Sequence, residues 1–131
     1  MILMFAVLLL GAGAAGLWLL HRFWPVKGLA YVEASKLRET PEIPAEAKMV
    51  DVRDAFFYEQ CHVSGAINIS IGRLPFLWNK ELSPDEPVVI LSDSLHQGRK
   101  AARLLKSRGF QEIYAVRGKF CAEVARSRIR L

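Results

Sequence analysis

The pattern of hydrophobic and polar positions divides the chain into two unlike parts. Residues 1–20 contain no charged side chain, so all 31 charged side chains fall in residues 21–131. Twenty residues in a helix, at a rise of about 1.5 Å per residue, span the hydrocarbon core of a bilayer. We therefore predict a transmembrane helix at 1–20, a juxtamembrane linker at 21–27 and a soluble domain at 28–131.

The apolar segment has a second interpretation, as a cleaved signal peptide. A signal peptide normally has a positively charged region before a shorter apolar stretch. In this chain only the amino terminus precedes the apolar run, so we favour a retained anchor in contact with the lipid bilayer. Arg22 and Lys27 follow the run, and this placement of positive charge predicts an inner-membrane protein whose C-terminal domain lies in the cytoplasm.

Beyond residue 28, short apolar runs alternate with amphipathic segments. Residues 88–91 are apolar at every position, which is typical of a strand buried on both faces. The alternation predicts an α/β fold with a central five-stranded parallel sheet flanked by helices. The predicted strands are 31–32, 49–52, 66–69, 88–91 and 113–116, and the predicted helices are 34–38, a segment capped by Asp54 and ending at Gln60, 73–78, 98–108 and a last one from Lys119. Gly109 is predicted to end the fourth of these helices, with Phe110 folding back over its last turn.

Composition narrows the class of protein. With 52% hydrophobic and 24% charged residues, and only two cysteines, the chain is neither collagen-like, nor disordered, nor a disulfide scaffold. Residues 28–98 carry six basic and eleven acidic side chains, whereas residues 99–131 carry ten basic and two acidic ones. The basic tail at 126–130 is either simply solvated or in contact with an anionic membrane surface. No aromatic interleaving or known motif accompanies this charge, so we expect no nucleic-acid partner.

Three stretches carry more information together than any one of them alone. They are 50–53 (VDVR) followed by Phe57 and Tyr58, 62–69 (HVSGAINI), and 87–105 followed by Gly109, Phe110 and 116–118 (VRG). In this order and spacing they resemble the rhodanese-like family, over about residues 28–125. The resemblance implies sulfur transfer, in which a cysteine at the end of the fourth strand takes a sulfane sulfur from a donor such as thiosulfate. It also assigns Asp51, Arg53 and His62 to the structural framework.

The loop after residues 88–91 departs from the family pattern. Alignment with the family's fourth strand places Ser92 at the cysteine position, and a serine has no sulfur to carry a persulfide. Asp93 lies where active members often have arginine, and Leu95 where glycine is common. Residual weak anion binding remains an alternative, because we predict that Arg99 and Lys100 open the next helix. The candidate ligand-binding loop comprises Ser92, Asp93, Ser94, Leu95, His96, Gln97, Gly98 and Arg99, and we predict no catalytic residue in it.

The remaining candidates for chemistry are the two cysteines. A free cysteine is most often a small core hydrophobe, and the alternative for Cys61 or Cys121 is a redox or relocated sulfur-carrying role. A disulfide between them is not expected in a reducing cytoplasm. Neither cysteine, nor any of the three histidines His21, His62 and His96, lies at a metal-ligand spacing, so we predict no metal and no cofactor.

These features favour one functional hypothesis and leave a second open. The first is a membrane-anchored, catalytically inactive rhodanese-like domain that acts as a binding or regulatory module for an unidentified protein partner. The alternative is a thiosulfate-type sulfurtransferase or sulfur carrier that uses Cys61 or Cys121.

Overall fold

A computed structural model describes residues 1–24, 26, 28–34, 43–117 and 121 of the chain. These residues form a long apolar helix followed by a five-stranded parallel sheet with helices packed against it, which confirms the predicted fold class. In chain order the elements are α1 (Ile2–Phe23), β1 (Leu29–Glu33), β2 (Lys48–Asp51), α2 (Ala55–Gln60), β3 (Ile67–Asn68), α3 (Leu74–Glu81), β4 (Val88–Leu91), α4 (Leu95–Ser107) and β5 (Ile113–Arg117).

Helix α1 continues three residues beyond Leu20, into the segment that we predicted as a linker. The stretch from Ile2 to Arg22 is long and apolar enough to cross a membrane, and none of its most apolar window is buried inside the protein. A core helix of a soluble protein would bury such a surface, because exposing it to water is costly. A signal sequence near the N-terminus would also be long and apolar enough to meet this criterion.

The sheet has the strand order β1-β5-β4-β2-β3, with every neighbouring pair parallel. Strand β4 is therefore central, with β5 on one side and β2 on the other. All four residues of β4 are buried. Val88 and Ile90 pack on the face that carries α3 and α4, while Val89 and Leu91 pack on the other face. The continuous apolar run in the sequence reflects this burial on two sides.

Helix α4 begins at Leu95, so the prediction that it starts at Gly98 was wrong. Ser94 is its N-cap residue, and Ser94 Oγ accepts a hydrogen bond of 3.1 Å from the Gln97 amide. A serine followed three residues later by glutamine is a known helix-start pattern, and it supplies the extra turn.

The predicted end of α4 is confirmed. Gly109 follows the helix with a φ of +95°, a conformation that glycine adopts without steric cost. The Phe110 amide then donates to the Leu105 carbonyl at 3.2 Å, and the Phe110 ring packs edge-on against Trp78.

Several other predictions differ from the structure only at element ends, by one to three residues. Asp54 occupies the N-cap position of α2, but its side chain makes no capping hydrogen bond. The predicted helix at 34–38 beyond Ala34, the last helix apart from Cys121, and the basic tail at 126–130 lie outside the described residues.

A side-chain contact joins α4 to the end of α1. Arg103 Nη2 donates to the carbonyl of Arg22 at 3.1 Å and to that of Trp24 at 2.7 Å. The last carbonyls of a helix lack partners within the helix, and a cation there also interacts favourably with the helix dipole. The guanidinium of Arg22 itself lies over the Trp18 ring, 5.3 Å from its centroid. The folded domain is thus attached to α1 by hydrogen bonds as well as by the chain.

Candidate functional site

The candidate loop lies at the carboxyl edge of the sheet, where Ser92 directly follows the central strand β4. In open parallel sheets, ligands bind outside the carboxyl ends of the strands. Of the eight candidate residues, only Ser92, Asp93 and Ser94 form the connection, and the other five lie in the first turns of α4. Arg99 and Lys100 therefore lie in the second turn of α4, and the prediction that they open the helix was wrong.

Ser92 is buried, with 7% of its surface exposed, and its hydroxyl makes a hydrogen bond within the loop. Ser92 Oγ donates to the Ser94 carbonyl at 2.9 Å. Gly98 of α4 lies next to the Ser92 side chain. A Cβ atom added to Gly98 would lie 2.9 Å from Ser92 Oγ, so α4 can pack this close to the serine only because residue 98 is glycine. A backbone carbonyl can accept this hydrogen bond, but it is too weak a base to remove the proton. The contact therefore does not activate the Ser92 hydroxyl as a nucleophile.

Three amides in residues 92–99 donate to groups of the chain itself. The Asp93 amide donates to Gln97 Oε1 at 2.9 Å, the Gln97 amide to Ser94 Oγ, and the Gly98 amide to the Ser94 carbonyl at 3.0 Å. An anion would have to displace these acceptors. It would also meet the exposed carboxylate of Asp93. The loop therefore resembles a closed helix cap more than an open anion site.

Of the other side chains in this segment, Arg99 makes a hydrogen bond to β1, and Leu95 and His96 are exposed. Arg99 Nε donates to the Tyr31 hydroxyl on β1 at 3.2 Å. Leu95 is 43% exposed, and His96 is exposed as well. The exposed side chains of the loop are accordingly those of Asp93, Ser94, Leu95 and His96.

Next to the loop, a buried ion pair holds the carboxyl end of β2. Asp51 is fully buried and Arg53 is 5% exposed. Arg53 donates through Nη2 to Asp51 Oδ2 at 2.8 Å, and through Nε to both carboxylate oxygens. The predicted framework role of these residues is confirmed. Arg53 Nη2 also donates to the Cys61 carbonyl at 2.6 Å, a contact that the sequence does not indicate.

His62 also belongs to the framework, as predicted. Its ring stacks on that of Tyr58 at 4.0 Å, and its Nδ1 lies 2.8 Å from the Tyr58 carbonyl. The Tyr58 hydroxyl in turn donates to the Ala66 carbonyl at 2.7 Å. These contacts fix the segment between α2 and β3.

Cys61 and Cys121 are joined by a disulfide, with Cα atoms 5.8 Å apart, so the prediction that they would not pair was wrong. That prediction rested on the redox state of the cytoplasm, which says nothing about the distance between two residues. Cys61 follows β2 and α2, and Cys121 follows β5. Because β2 and β5 flank β4 and run parallel to it, Cys61 and Cys121 lie at the same edge of the sheet. Arg53 Nη1 lies 3.7 Å from Cys121 Sγ.

The opposite edge of the sheet has a cavity of about 190 Å³ before β4 and β5. Three of its lining residues are acidic, namely Asp85, Glu86 and Glu112. Lys48 pairs with Glu86 at 3.4 Å. Within the described part of the chain, no group of three or more His, Cys, Asp or Glu residues could hold a metal ion. The absence of a metal and of a cofactor stays a prediction.

Comparison with known proteins places this geometry in context. A family model described as a rhodanese-like domain matches residues 32–122. YqhL of Bacillus subtilis is 33% identical over 75 residues, covering 57% of this chain and 59% of that protein. Thiosulfate sulfurtransferase GlpE of Stutzerimonas stutzeri is 32% identical over 77 residues, covering 58% of this chain and 69% of that protein. The solution NMR structure of the rhodanese-like domain from the Anabaena sp. Alr3790 protein has a TM-score of 0.61 and 26% identity, covering 72% of this chain and 73% of that one.

Proposed function

Because the chain belongs to the rhodanese-like domain family, we propose that it is a membrane-anchored member that transfers no sulfane sulfur at the family's cysteine position. It acts instead as a binding or regulatory module. The observation that carries this proposal is the closed loop: Ser92 has an oxygen in place of sulfur, and its hydroxyl and the amides of Asp93, Gln97 and Gly98 are bonded within the chain. At most weak anion binding is expected at residues 92–99, because an anion at the amides of Asp93, Gln97 and Gly98 must first displace Gln97 Oε1 or an oxygen of Ser94, and it also meets the exposed carboxylate of Asp93.

Helix α1 supports the proposed anchoring in an inner membrane, with lipid around its exposed apolar side chains. The positive charge that follows the apolar run supports a cytoplasmic domain. The partner of that domain is proposed to be a protein. At the loop, the domain offers such a partner the exposed side chains of Asp93, Leu95 and His96.

A reporter fused after Leu131 tests both the retention of α1 and the orientation. We expect activity from a cytoplasmic reporter, none from a periplasm-only reporter, and a fusion of full length in the membrane fraction. The physical reason is that translocating the positive flank of an apolar helix is unfavourable. A shortened fusion in the soluble fraction would identify α1 as a signal sequence, and activity of the periplasm-only reporter would refute the orientation.

A second candidate function is sulfur transfer at the cysteine pair. The convergence of Cys61 and Cys121 beside Arg53 favours it, as does the similarity to a thiosulfate sulfurtransferase. In this reaction a cysteine thiolate would attack the outer sulfur of thiosulfate and break its S–S bond. Sulfite would leave, and a cysteine persulfide would remain for an acceptor.

Cyanolysis with thiosulfate as donor separates the two functions. The purified full-length chain, assayed in detergent in both its reduced and its oxidised form, is expected to form no thiocyanate above the uncatalysed rate. Ser92→Ala serves as a matched control, because it removes the hydroxyl without touching either sulfur. Turnover by the reduced protein that disappears in Cys61→Ser or Cys121→Ser would establish the second function in place of the first.

A further inference from the structure

The two sulfur atoms of the cysteines lie together at the carboxyl edge of the sheet. Sixty residues separate Cys61 from Cys121, yet the fold brings their Cα atoms to 5.8 Å, within the range that a disulfide requires. Both residues are only partly buried, so a reagent or a partner has access to them. From this pairing and its surroundings, we propose that Cys61 and Cys121 form a reversible thiol–disulfide couple that exchanges electrons with a dithiol-bearing protein.

The position of Arg53 makes the two sulfurs of the pair chemically unequal. Its guanidinium is held in place by the buried carboxylate of Asp51, while Nη2 binds the Cys61 carbonyl and Nη1 faces Cys121 Sγ. An N–H donor on a cationic group stabilises negative charge on a neighbouring sulfur. Cys121 is therefore the better leaving group of the two, and Cys61 is the sulfur that an incoming thiolate attacks.

The exchange proceeds in two steps that balance. In the first step, a thiolate of the partner dithiol attacks Cys61 Sγ. The Cys61–Cys121 bond breaks, and Cys121 leaves as a thiolate beside Arg53. In the second step, the other sulfur of the partner, as a thiolate, attacks the mixed disulfide and releases Cys61, which takes up a proton. Two electrons have then passed from the partner, which becomes a disulfide, to the couple, which becomes a Cys61 thiol and a Cys121 thiolate.

Reversibility also reconciles the disulfide with the proposed cytoplasmic orientation of the domain. Disulfides in a reducing cytoplasm are usually transient, and serve in catalysis or redox sensing. A permanent structural disulfide would not be expected there. The reducing environment is the one part of this argument that depends on the proposed orientation. The short distance between the two cysteines and the position of Arg53 are independent of that orientation.

Redox titration of the purified full-length chain in detergent tests the proposal without reference to orientation. The chain is equilibrated with mixtures of reduced and oxidised glutathione, and free thiols are counted by alkylation and intact mass. We expect two thiols to appear and disappear together, reversibly and without denaturant, with unchanged circular dichroism. A disulfide that forms but resists excess dithiothreitol until the protein is unfolded would overturn the proposal. Failure of the pair to form in oxidised glutathione would overturn it equally.

A second measurement tests the role of Arg53 with single-cysteine variants. Iodoacetamide reacts with thiolates, so Cys121 in the Cys61→Ser variant is expected to be alkylated at least about tenfold faster than Cys61 in the Cys121→Ser variant. Arg53→Lys keeps the charge but withdraws the fixed N–H donor, and is expected to reduce the difference. Equal rates in the two single-cysteine variants would contradict the proposed direction of attack. Neither result depends on whether the chain transfers sulfane sulfur, so this proposal and the proposed function fail separately.

Discussion

Replacing Arg53 with methionine is expected to lower the free energy of unfolding by about 3–5 kcal/mol, the largest loss of stability that we expect from a single substitution in this site. The carboxylate of Asp51 is fully buried, and Arg53 is the charge that faces it at 2.8 Å. Methionine fills a similar volume but leaves a buried, uncompensated charge. It also removes the donor to the Cys61 carbonyl. Urea unfolding in detergent, followed by the fluorescence of Trp78 in a Trp18→Phe/Trp24→Phe background, measures the loss.

The matched control removes both charges. In Asp51→Asn/Arg53→Met no buried charge is left without a partner, so the double variant is expected to recover a large part of the lost stability. Arg53→Lys, which keeps the charge without the fork of donors, is expected to lie between the wild type and Arg53→Met. Equal stability of Arg53→Met and the wild type would show that the pair is solvated in solution, contrary to its burial.

Restoring a cysteine at position 92 is expected to give little or no sulfur transfer unless the loop is opened as well. Ser92→Cys alone leaves the Asp93 amide bonded to Gln97 and the Asp93 carboxylate beside the site. We expect the variant Ser92→Cys/Asp93→Arg/Leu95→Gly/Gln97→Ala to form thiocyanate at least about tenfold faster than Ser92→Cys. A tenfold change needs only about 1.4 kcal/mol. One charge at about 4 Å contributes up to about 4 kcal/mol at an effective dielectric of about 20, and less at an exposed position such as Asp93.

The same loop with alanine at position 92 is the control, because it has the open amides but no sulfur. It is expected to be inactive, and circular dichroism should show that α4 remains folded. Gly98 is kept in every variant, since a Cβ there would press on the side chain of residue 92. Full activity of Ser92→Cys by itself would contradict the closed loop, because it would show that only the nucleophile had been lost.

The parts of the fold that could be predicted are those that local patterns determine. Continuous apolar residues at 88–91 predicted β4 with the correct bounds, because a central strand of a parallel sheet is buried on both faces. Gly109 and Phe110 likewise predicted the end of α4. The start of α4 was predicted three residues too late, because the family alignment assigned residues up to Gly98 to the loop. Ser94 and Gln97 form a capping pattern that indicates the earlier start.

The features of the site that could not be predicted depend on tertiary structure. Nothing local to Cys61 or Cys121 indicates that the two meet, because their meeting follows from the strand order that places β2 and β5 on either side of β4. The contact of Arg53 with both cysteines follows from the same order. Ser92 could be identified by alignment, but the capping pattern does not indicate that Gln97 Oε1 accepts from the Asp93 amide.

The hydrogen bonds from Arg103 to the carbonyls at the end of α1 affect how such a domain would meet its partner. In the proposed anchored form, those carbonyls lie just outside the apolar span, so the domain rests on the lipid surface with little slack. The domain would diffuse in two dimensions, along the membrane. A soluble cytosolic protein would therefore encounter it less often than another protein in the same membrane would. A tethered domain of short reach is therefore best suited to a neighbour whose own docking face is held within a few nanometres of the lipid.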